Sequence, residues 1–208
     1  MRNILLQEDV TTVEARLKQF EAKTGCDLLL IVASSSDPYP AASWRFGIIA
    51  GFLINLVFSY YFEFHHAYFW PLSFLFVTLI MVWVGGFPWA KRITLSPWEV
   101  KRESLEKAIE CFHTLGTSKT NHKVTAMIMV SVLERQIQVL VDEKLKEQIS
   151  QAELDELILI MQTHFRAGNM GLGFTESIQS LENKILLDFG GPVSDARASD
   201  LTDTIHFI

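Results

Sequence analysis

Four charged residues of the chain stand where side chains could converge on a ligand. They are Asp37, Arg135, Asp142 and Arg166. Four carboxylates lie at or near the ends of apolar runs that are predicted to be strands: Asp37, Glu134, Asp142 and Glu143. Such carboxylates could hold a hard cation such as calcium. The two arginines could bind the oxygens of a phosphoryl group. No spacing in the chain forces these residues together, so solvated side chains remain the simpler interpretation.

Catalytic motifs of established geometry are absent from the sequence. There is no Gly-x-Ser-x-Gly and no His-Glu-x-x-His, the patterns that position a serine nucleophile or a catalytic zinc ion. The glycine-rich run 168–173 follows a helix and lacks the P-loop lysine, which favours a tight connection between helices over a phosphate cradle. Cys26 and Cys111 lack the partners of a disulfide framework or a zinc site. We expect two reduced thiols and no cofactor, with calcium left open.

The chain has 208 residues, of which 49% are hydrophobic and only 20% are charged. This excess lies between Phe46 and Phe87, where Glu63 is the only formal charge. The segments Phe46–Phe62 and Ala67–Phe87 are each near the roughly 20 residues that cross a bilayer. We predict a two-helix transmembrane hairpin over residues 46–87. The rival, two buried helices of a soluble core, would need a much larger protein to cover them.

The charges at the ends of the hairpin predict its orientation. Arg45, Lys91 and Arg92 flank the outer ends, whereas the connection Glu63–His66 contains neither Lys nor Arg. The positive-inside rule then places both termini and the soluble part in the cytoplasm, at a bacterial-type inner membrane or a plasma membrane. Glu63, His65 and His66 could bind a metal or sense pH, but a polar turn at the interface is the favoured interpretation. The net charge of -6 argues against nucleic acid as a partner.

Small and polar residues inside the hairpin predict how its helices pack. Gly47 and Gly51 form a GxxxG spacing, which permits close helix approach. We expect packing against the second helix of the same chain, with a homo-oligomer contact as the alternative. Asn55 near the middle of the first helix needs a partner, and we expect Thr78 or Ser73 to supply it.

The segments outside the hairpin alternate between helix and strand patterns. An amphipathic helix over Glu8–Thr24 ends at Gly25, a left-handed cap, and the run Leu28–Ala33 is apolar enough for a central strand. A helix from about Pro97 to Gly116 is predicted to bury Leu105, Ala108, Ile109, Phe112 and Leu115.

A β-hairpin is predicted next, with strands Val124–Leu133 and Gln136–Val141. Ser150 and Glu153 form a capping box that opens one helix, and a last helix starts at about Gly173. The tail could dock as one short turn through Leu201, Ile205 and Ile208.

The two soluble segments should form one domain. Residues 1–45 offer one helix and one strand, too little to bury a core, and residues 88–190 supply the missing strands and helices. A membrane hairpin returns the chain to its starting side, so both segments meet there. We predict an α/β sandwich of a small central sheet between helices, interrupted by residues 46–87 and followed by an acidic tail, residues 191–208.

The second half of the chain resembles the TPM domain, a family named after a thylakoid lumen protein, a photosystem II associated protein and a nematode receptor accessory protein. The resemblance lies in the run 135–142, in Leu145 and Ile149 before a helix, and in Phe165-Arg166-Ala167-Gly168-Asn169. Thr24-Gly25 followed by an apolar strand also fits the opening of that domain. The match covers most of residues 8–40 and 104–188.

Membership would imply an α/β sandwich, usually membrane-associated, with roles in the assembly of membrane complexes, as a receptor accessory, or as a phosphatase or calcium binder. The membrane hairpin interrupts the domain here, Asn169 replaces a common acid, and the segment after Val141 is charged where glycines are common. We therefore expect a membrane-anchored accessory or scaffold protein that binds an unidentified membrane protein. A metal-assisted phosphatase of the same fold is the alternative, and a homo-oligomeric transport element is a third.

Overall fold

The computed structural model of the chain describes residues 7–61, 68–117, 125–189, 192 and 204–208. The chain divides into two compact units, one of residues 1–36 with 104–208 and the other of residues 37–103.

The first unit carries the sheet. Its strands are β1 (Asp27–Ala33), β2 (Thr125–Ser131), β3 (Gln136–Val141) and β4 (His206–Phe207). The strand order is β3-β2-β1-β4, in which β1 is parallel to β2 and β4, and β2 is antiparallel to β3. The apolar strand before residue 46 thus pairs along its whole length with a strand that follows residue 87. The predicted α/β architecture, with a small sheet between helices, is confirmed.

Helices cover both faces of this sheet. They are α1 (Gln7–Thr24), α6 (Glu143–Lys146), α7 (Gln151–Arg166) and α8 (Met170–Asp188) on one face, with α5 (Pro97–Cys111) and a π-helical turn (Phe112–Thr117) on the other. Every residue of β1 is buried. Because side chains alternate along a strand, Leu28, Leu30 and Val32 join the larger core, whereas Leu29 and Ile31 join the smaller one. A strand that is apolar on both sides therefore lies at the centre.

The predicted ends of the helices are largely confirmed. Gly25 follows α1 with φ +70° and Gly168 follows α7 with φ +82°, a conformation that glycine adopts at low cost. At the start of α7 the Glu153 carboxylate accepts hydrogen bonds from both the backbone N–H and the hydroxyl of Ser150, each at 2.8 Å.

The predicted buried stripe of α5 is wrong in part. Leu105 and Ile109 are 39% and 42% exposed, and the residues that face the sheet are Ser104, Ala108 and Cys111. Ser104 Oγ accepts a hydrogen bond from Gln138 Nε2 of β3 at 3.0 Å. These small side chains let the helix backbone approach the sheet, which turns the larger residues aside.

Two further expectations near the end of the chain are corrected. The last helix begins at Met170, so Gly171 and Gly173 lie inside α8 and not in a connection. A Cβ at Gly173 would lie 2.7 Å from the Phe165 ring, which shows that this glycine allows α8 to pack tightly on α7. The short turn expected for the tail is a strand: Ile205 is buried and β4 pairs with β1, while Leu201 lies outside the described residues.

The second unit contains α2 (Pro40–Tyr61), α3 (Phe69–Val84) and α4 (Pro88–Thr94). The first helix begins at Pro40, six residues before the predicted Phe46. Among the described residues α2 alone is long and apolar enough to cross a membrane, and α3 reaches that length only together with α4, bent from it by 108°. Gly85, Gly86 and the N1 proline Pro88 account for the break. The predicted turn Glu63–His66 lies outside the described residues.

Candidate functional site

The helical hairpin of the second unit has an inverted polarity: small and polar residues are buried between the helices and large apolar residues are exposed, the reverse of a water-soluble core. In α2 the buried residues are Ala42, Gly47, Gly51 and Asn55. The large apolar side chains point outward and are between 46% and 67% exposed; they include Ile48, Ile49, Phe52, Leu53, Leu56, Val57 and Phe58 on α2, and Leu72, Leu75, Phe76 and Leu79 on α3. Soluble monomers rarely expose apolar surface on this scale, whereas membrane helices pack through small residues and turn large ones to lipid.

The GxxxG glycines lie against α3. A Cβ at Gly47 would come within 2.8 Å of the Val82 backbone nitrogen, and one at Gly51 within 3.0 Å of the Thr78 Cα. No side chain fits at such distances unless the helices separate. The two glycines therefore set the spacing of α2 and α3 within one chain.

Asn55 has its polar partner across the hairpin. Its amide nitrogen donates to Ser73 Oγ at 3.2 Å, and Ser73 Oγ lies 3.3 Å from Asn55 Oδ1. Of the two expected partners, Ser73 makes the bond, while Thr78 Oγ1 is buried without a partner in the described part of the chain. Both the nitrogen and the oxygen of the amide thus have a partner within the hairpin.

An ion pair closes the base of the hairpin. Arg45 Nη2 donates to both oxygens of Glu99, at 2.8 and 2.7 Å, and Arg45 Nη1 donates to the Thr94 carbonyl at 3.2 Å. The hydrogen bond from Arg45 is the main cause that lowers the pKa of Glu99 below its ordinary value. Lys91 Nζ donates to the Pro38 carbonyl at 2.7 Å. The basic residues that flank the hairpin therefore also hold its ends together.

Aromatic and apolar side chains protrude at the same base. Phe87, Trp89 and Ile93 on and beside α4 are 45%, 57% and 69% exposed. Lys91 and Arg92 lie between Trp89 and Ile93 in the sequence, so this short helix carries both apolar and basic residues. This composition is typical of segments at the boundary between lipid tails and headgroups.

The four predicted ligand residues are held in separate local structures. Asp142 accepts a hydrogen bond from the Glu143 N–H at 2.7 Å and so caps α6. Arg135 has φ +54° in the β2–β3 turn. It lies at the other end of β3 from Asp142, roughly 20 Å away at the rise of a strand. Arg166 is exposed in the last turn of α7. Asp142 and Arg135 are therefore not brought together.

Asp37 belongs to the second unit and accepts a hydrogen bond from the Tyr39 N–H at 2.7 Å. In the described part of the chain no three His, Cys, Asp or Glu side chains form a group that could hold a metal ion. The calcium and phosphatase hypotheses remain predictions.

Two buried acids have structural partners that the sequence did not predict. Glu134, 9% exposed, accepts hydrogen bonds from the Ser36 N–H at 2.7 Å and from the Ser131 hydroxyl, and so joins the β2–β3 turn to the chain beyond β1. The sequence marks Glu134 only as an acid near a strand end. Its bond with Ser36 connects positions about a hundred residues apart, which no local pattern reveals.

Glu182 of α8 is the second buried acid. Its carboxylate lies 2.7 Å from Arg16 Nη2 and 2.9 Å from Lys23 Nζ, both on α1. A charge at a position that faces the core is the only sequence signal for such a pair. Its two cationic partners show that it joins α8 to α1.

The two thiols are poor nucleophiles. Burial raises the pKa of Cys26 to about 12 and also raises that of Cys111. Both are therefore protonated at neutral pH, and neither provides the thiolate that nucleophilic catalysis requires.

Comparisons with known proteins agree with the fold and with the resemblance. Residues 96–184 match the family model of the TPM domain. The solution structure of the BA42 protein from the psychrophilic bacterium Bizionia argentinensis is similar over 98% of this chain and 94% of its own, with a TM-score of 0.58 and 13% identity. At that identity the likeness establishes the fold alone. No curated protein matches the chain significantly.

Proposed function

We propose that this chain, whose residues 96–184 match the family model of the TPM domain, is a membrane-anchored accessory or scaffold protein. Its hairpin of α2 and α3 anchors it in a bacterial-type inner membrane or plasma membrane. Its TPM-like domain binds another membrane protein on the cytoplasmic side, in the assembly or maintenance of a membrane complex.

The observation that carries this proposal is the inverted polarity of the hairpin. Gly47, Gly51 and Asn55 are buried between the helices while the large apolar residues face outward. In the most apolar window of α2 only 22% of residues are buried, whereas a core helix of a soluble protein would be covered. Full exposure of this surface to water would cost about 25 cal/mol for each Å², and a bilayer removes that cost.

A non-catalytic role is supported by the state of the chemical groups. Asp142 is engaged as a helix cap, Arg135 lies at the far end of its strand, and both thiols are buried. Phosphoryl transfer needs a nucleophile or a metal-bound water and positive charge placed around one phosphorus atom. A metal-assisted phosphatase of the same fold stays the alternative.

The test is purification of the tagged full chain from membranes solubilised in a mild detergent, with identification of co-purifying proteins. The control is Phe174→Asp, which places a charge at a fully buried position of the domain and leaves the hairpin unchanged. A partner of the folded domain should be lost with the control, whereas proteins held by the hairpin should persist. Recovery of the wild-type chain in the soluble fraction, or identical partners for both chains, would refute the proposal.

A further inference from the structure

Strand β1 has two neighbours of unequal extent. On one side β2 pairs with all seven of its residues, while on the other β4 pairs only with Ile31 and Val32. Two flanking hydrogen bonds extend this short ladder: Ile208 N–H donates to the Val32 carbonyl at 3.1 Å, and Ser34 N–H donates to the Ile208 carbonyl at 2.9 Å. A strand edge presents a row of backbone donors and acceptors to any extended segment. In this chain, residues 206–208 bind to these backbone groups of β1.

The side chains of this segment also fit the edge. Ile205 is 7% exposed within the larger core, and Phe207 packs against the same core. The two residues are two positions apart and so point to one face. The Ile205 N–H lies 3.4 Å from a carboxylate oxygen of Glu14 on α1. The β1 edge therefore offers three things to a bound strand: backbone hydrogen-bonding groups, apolar contacts for alternate side chains, and the Glu14 carboxylate as an acceptor near the first residue of the segment.

The bound segment is short enough to leave without unfolding the domain. Its described attachment includes a few hydrogen bonds, each worth about 0.5–1.5 kcal/mol net, and the burial of two apolar side chains, each worth at most about 1.5–3 kcal/mol. Ordering its backbone costs about 1–2 kcal/mol per residue. The net stabilisation is thus a small part of the stability of a domain, and local opening of such elements is expected.

We infer that the β1 edge is a peptide-binding site, which residues 204–208 occupy in the isolated chain and which an extended segment of a partner protein occupies in its place. The partner segment pairs in parallel with β1 and carries branched or aromatic apolar residues at alternate positions. Strand addition of this kind gives affinity through the backbone and specificity through alternate side chains. This inference rests on the proposed scaffold function and names its binding surface.

The test uses the full chain in detergent and a fluorescent synthetic peptide of residues 200–208. The variant carrying both Ile205→Asp and Phe207→Asp should release its own segment, and we expect it to bind the peptide at least tenfold more tightly than the wild type, as measured by fluorescence anisotropy. Leu187→Asp, which changes an apolar residue that is 80% exposed on α8, should bind like the wild type. A peptide with aspartate at both apolar positions should bind to none of them.

Three results would overturn the inference. The first is a double variant that keeps a cooperative thermal transition and binds no peptide. The second is equal binding of the aspartate-substituted peptide. The third is a dimer of the wild type that dissociates in the double variant, since the occupant would then be a second copy of this chain.

Hydrogen exchange on the unmodified chain gives an answer even where the double variant does not fold. We expect residues 204–208 to exchange at least a hundredfold faster than β2, because they open locally. Equal protection of the two would mean that the segment leaves only when the domain unfolds, and would exclude displacement. The peptide assay needs no cellular partner, so its failure would leave the co-purification test of the scaffold function unaffected.

Discussion

The guanidinium of Arg45 and the carboxylate of Glu99 form a two-pronged ion pair that joins the start of α2 to the start of α5. The contribution of this pair to stability depends on pH, because Arg45 lowers the pKa of Glu99 in the folded chain. Because the pKa of Glu99 is lower in the folded chain than in the unfolded chain, ionised Glu99 stabilises the fold. This stabilisation is fully present above the pKa of Glu99 in the unfolded chain, about 4.3, and is lost as the pH falls through its pKa in the folded chain. Glu99→Gln should therefore lower the melting temperature at pH 7 and should have a progressively smaller effect below about pH 4.

The control for this experiment is Glu103→Gln. Glu103 accepts hydrogen bonds from Arg102 beside it in α5, and an exposed pair of neighbours contributes little to stability. Melting curves in detergent between pH 3 and pH 7 would measure both variants. A Glu99→Gln effect that does not change over this range would show that the carboxylate acts only through packing.

The close approach at Gly51 predicts a large cost for any side chain there. Gly51→Leu should destabilise the hairpin by about 1–3 kcal/mol, the usual cost of overpacking, because a Cβ would lie 3.0 Å from the Thr78 Cα. Val57→Leu adds volume on the outward side of the same helix, at a residue that is 56% exposed, and should be nearly neutral. Unfolding of both variants in mixed micelles provides the measurement, and equal effects would argue against helix contact at Gly51.

The hydrogen bond between Asn55 and Ser73 can be measured by a double-mutant cycle. With Asn55→Ala, Ser73→Ala and the double variant, we expect a coupling energy of about 0.6 kcal/mol, the average for hydrogen bonds between membrane helices. The cycle is suitable because the two side chains bond each other across the hairpin. A coupling energy of zero would indicate that the amide is hydrated or bonded elsewhere.

The orientation of the hairpin is tested by labelling single cysteines in intact cells. Cys26 and Cys111 are both buried and can be replaced by alanine. Tyr61→Cys at the connecting end of α2 should react with an impermeant thiol reagent from outside, whereas Ile93→Cys at the base should react only after permeabilisation. These side chains are 75% and 69% exposed, so that accessibility alone does not separate them. The reverse pattern would invert the predicted topology.

The calcium hypothesis predicts stabilisation by the ion through Asp37 or Asp142. We expect instead that Asp142→Ala loses about 1 kcal/mol through the α6 cap, equally in calcium and in chelator. Asp142→Asn can keep the cap, since asparagine is as good a cap as aspartate, and should restore the stability. Asp37→Ala should likewise change melting equally in both media. Hydrolysis of a phosphate ester that Asp142→Asn abolishes in a folded protein would favour the phosphatase.

The sequence predicted those elements whose signal is local and repeated. The continuous apolar run at Leu28–Ala33 indicated a central strand, and Gly25, Gly168 and the pair of Ser150 with Glu153 marked helix ends by their chemistry. The resemblance to the TPM domain rested on the order of such elements, and the family match over residues 96–184 agrees with it.

Features that depend on tertiary contacts were missed or misplaced. Leu105 and Ile109 fit a helical stripe, yet the small residues Ser104 and Ala108 face the sheet because they allow closer approach. A strand of two residues such as β4 is too short to show a period. The bonds of Glu134 to the segment after β1 arise only when the sheet has formed. A sequence pattern indicates the preferences of a single helix or strand. Burial and hydrogen bonding at these positions depend instead on how two elements pack against each other.

The parallel pairing of β1 with β2 constrains the order of events during synthesis. Leu28 pairs with Ala126. Strand β1 therefore cannot pair with β2 until roughly a hundred further residues have been synthesised. At about 5–20 residues per second this delay is on the order of 5–20 s. Both helices of the proposed anchor emerge from the ribosome within that interval. On the proposed anchoring, membrane insertion would therefore precede closure of the sheet, and a nascent chain that failed to insert would carry an unpaired β1 together with two exposed apolar helices.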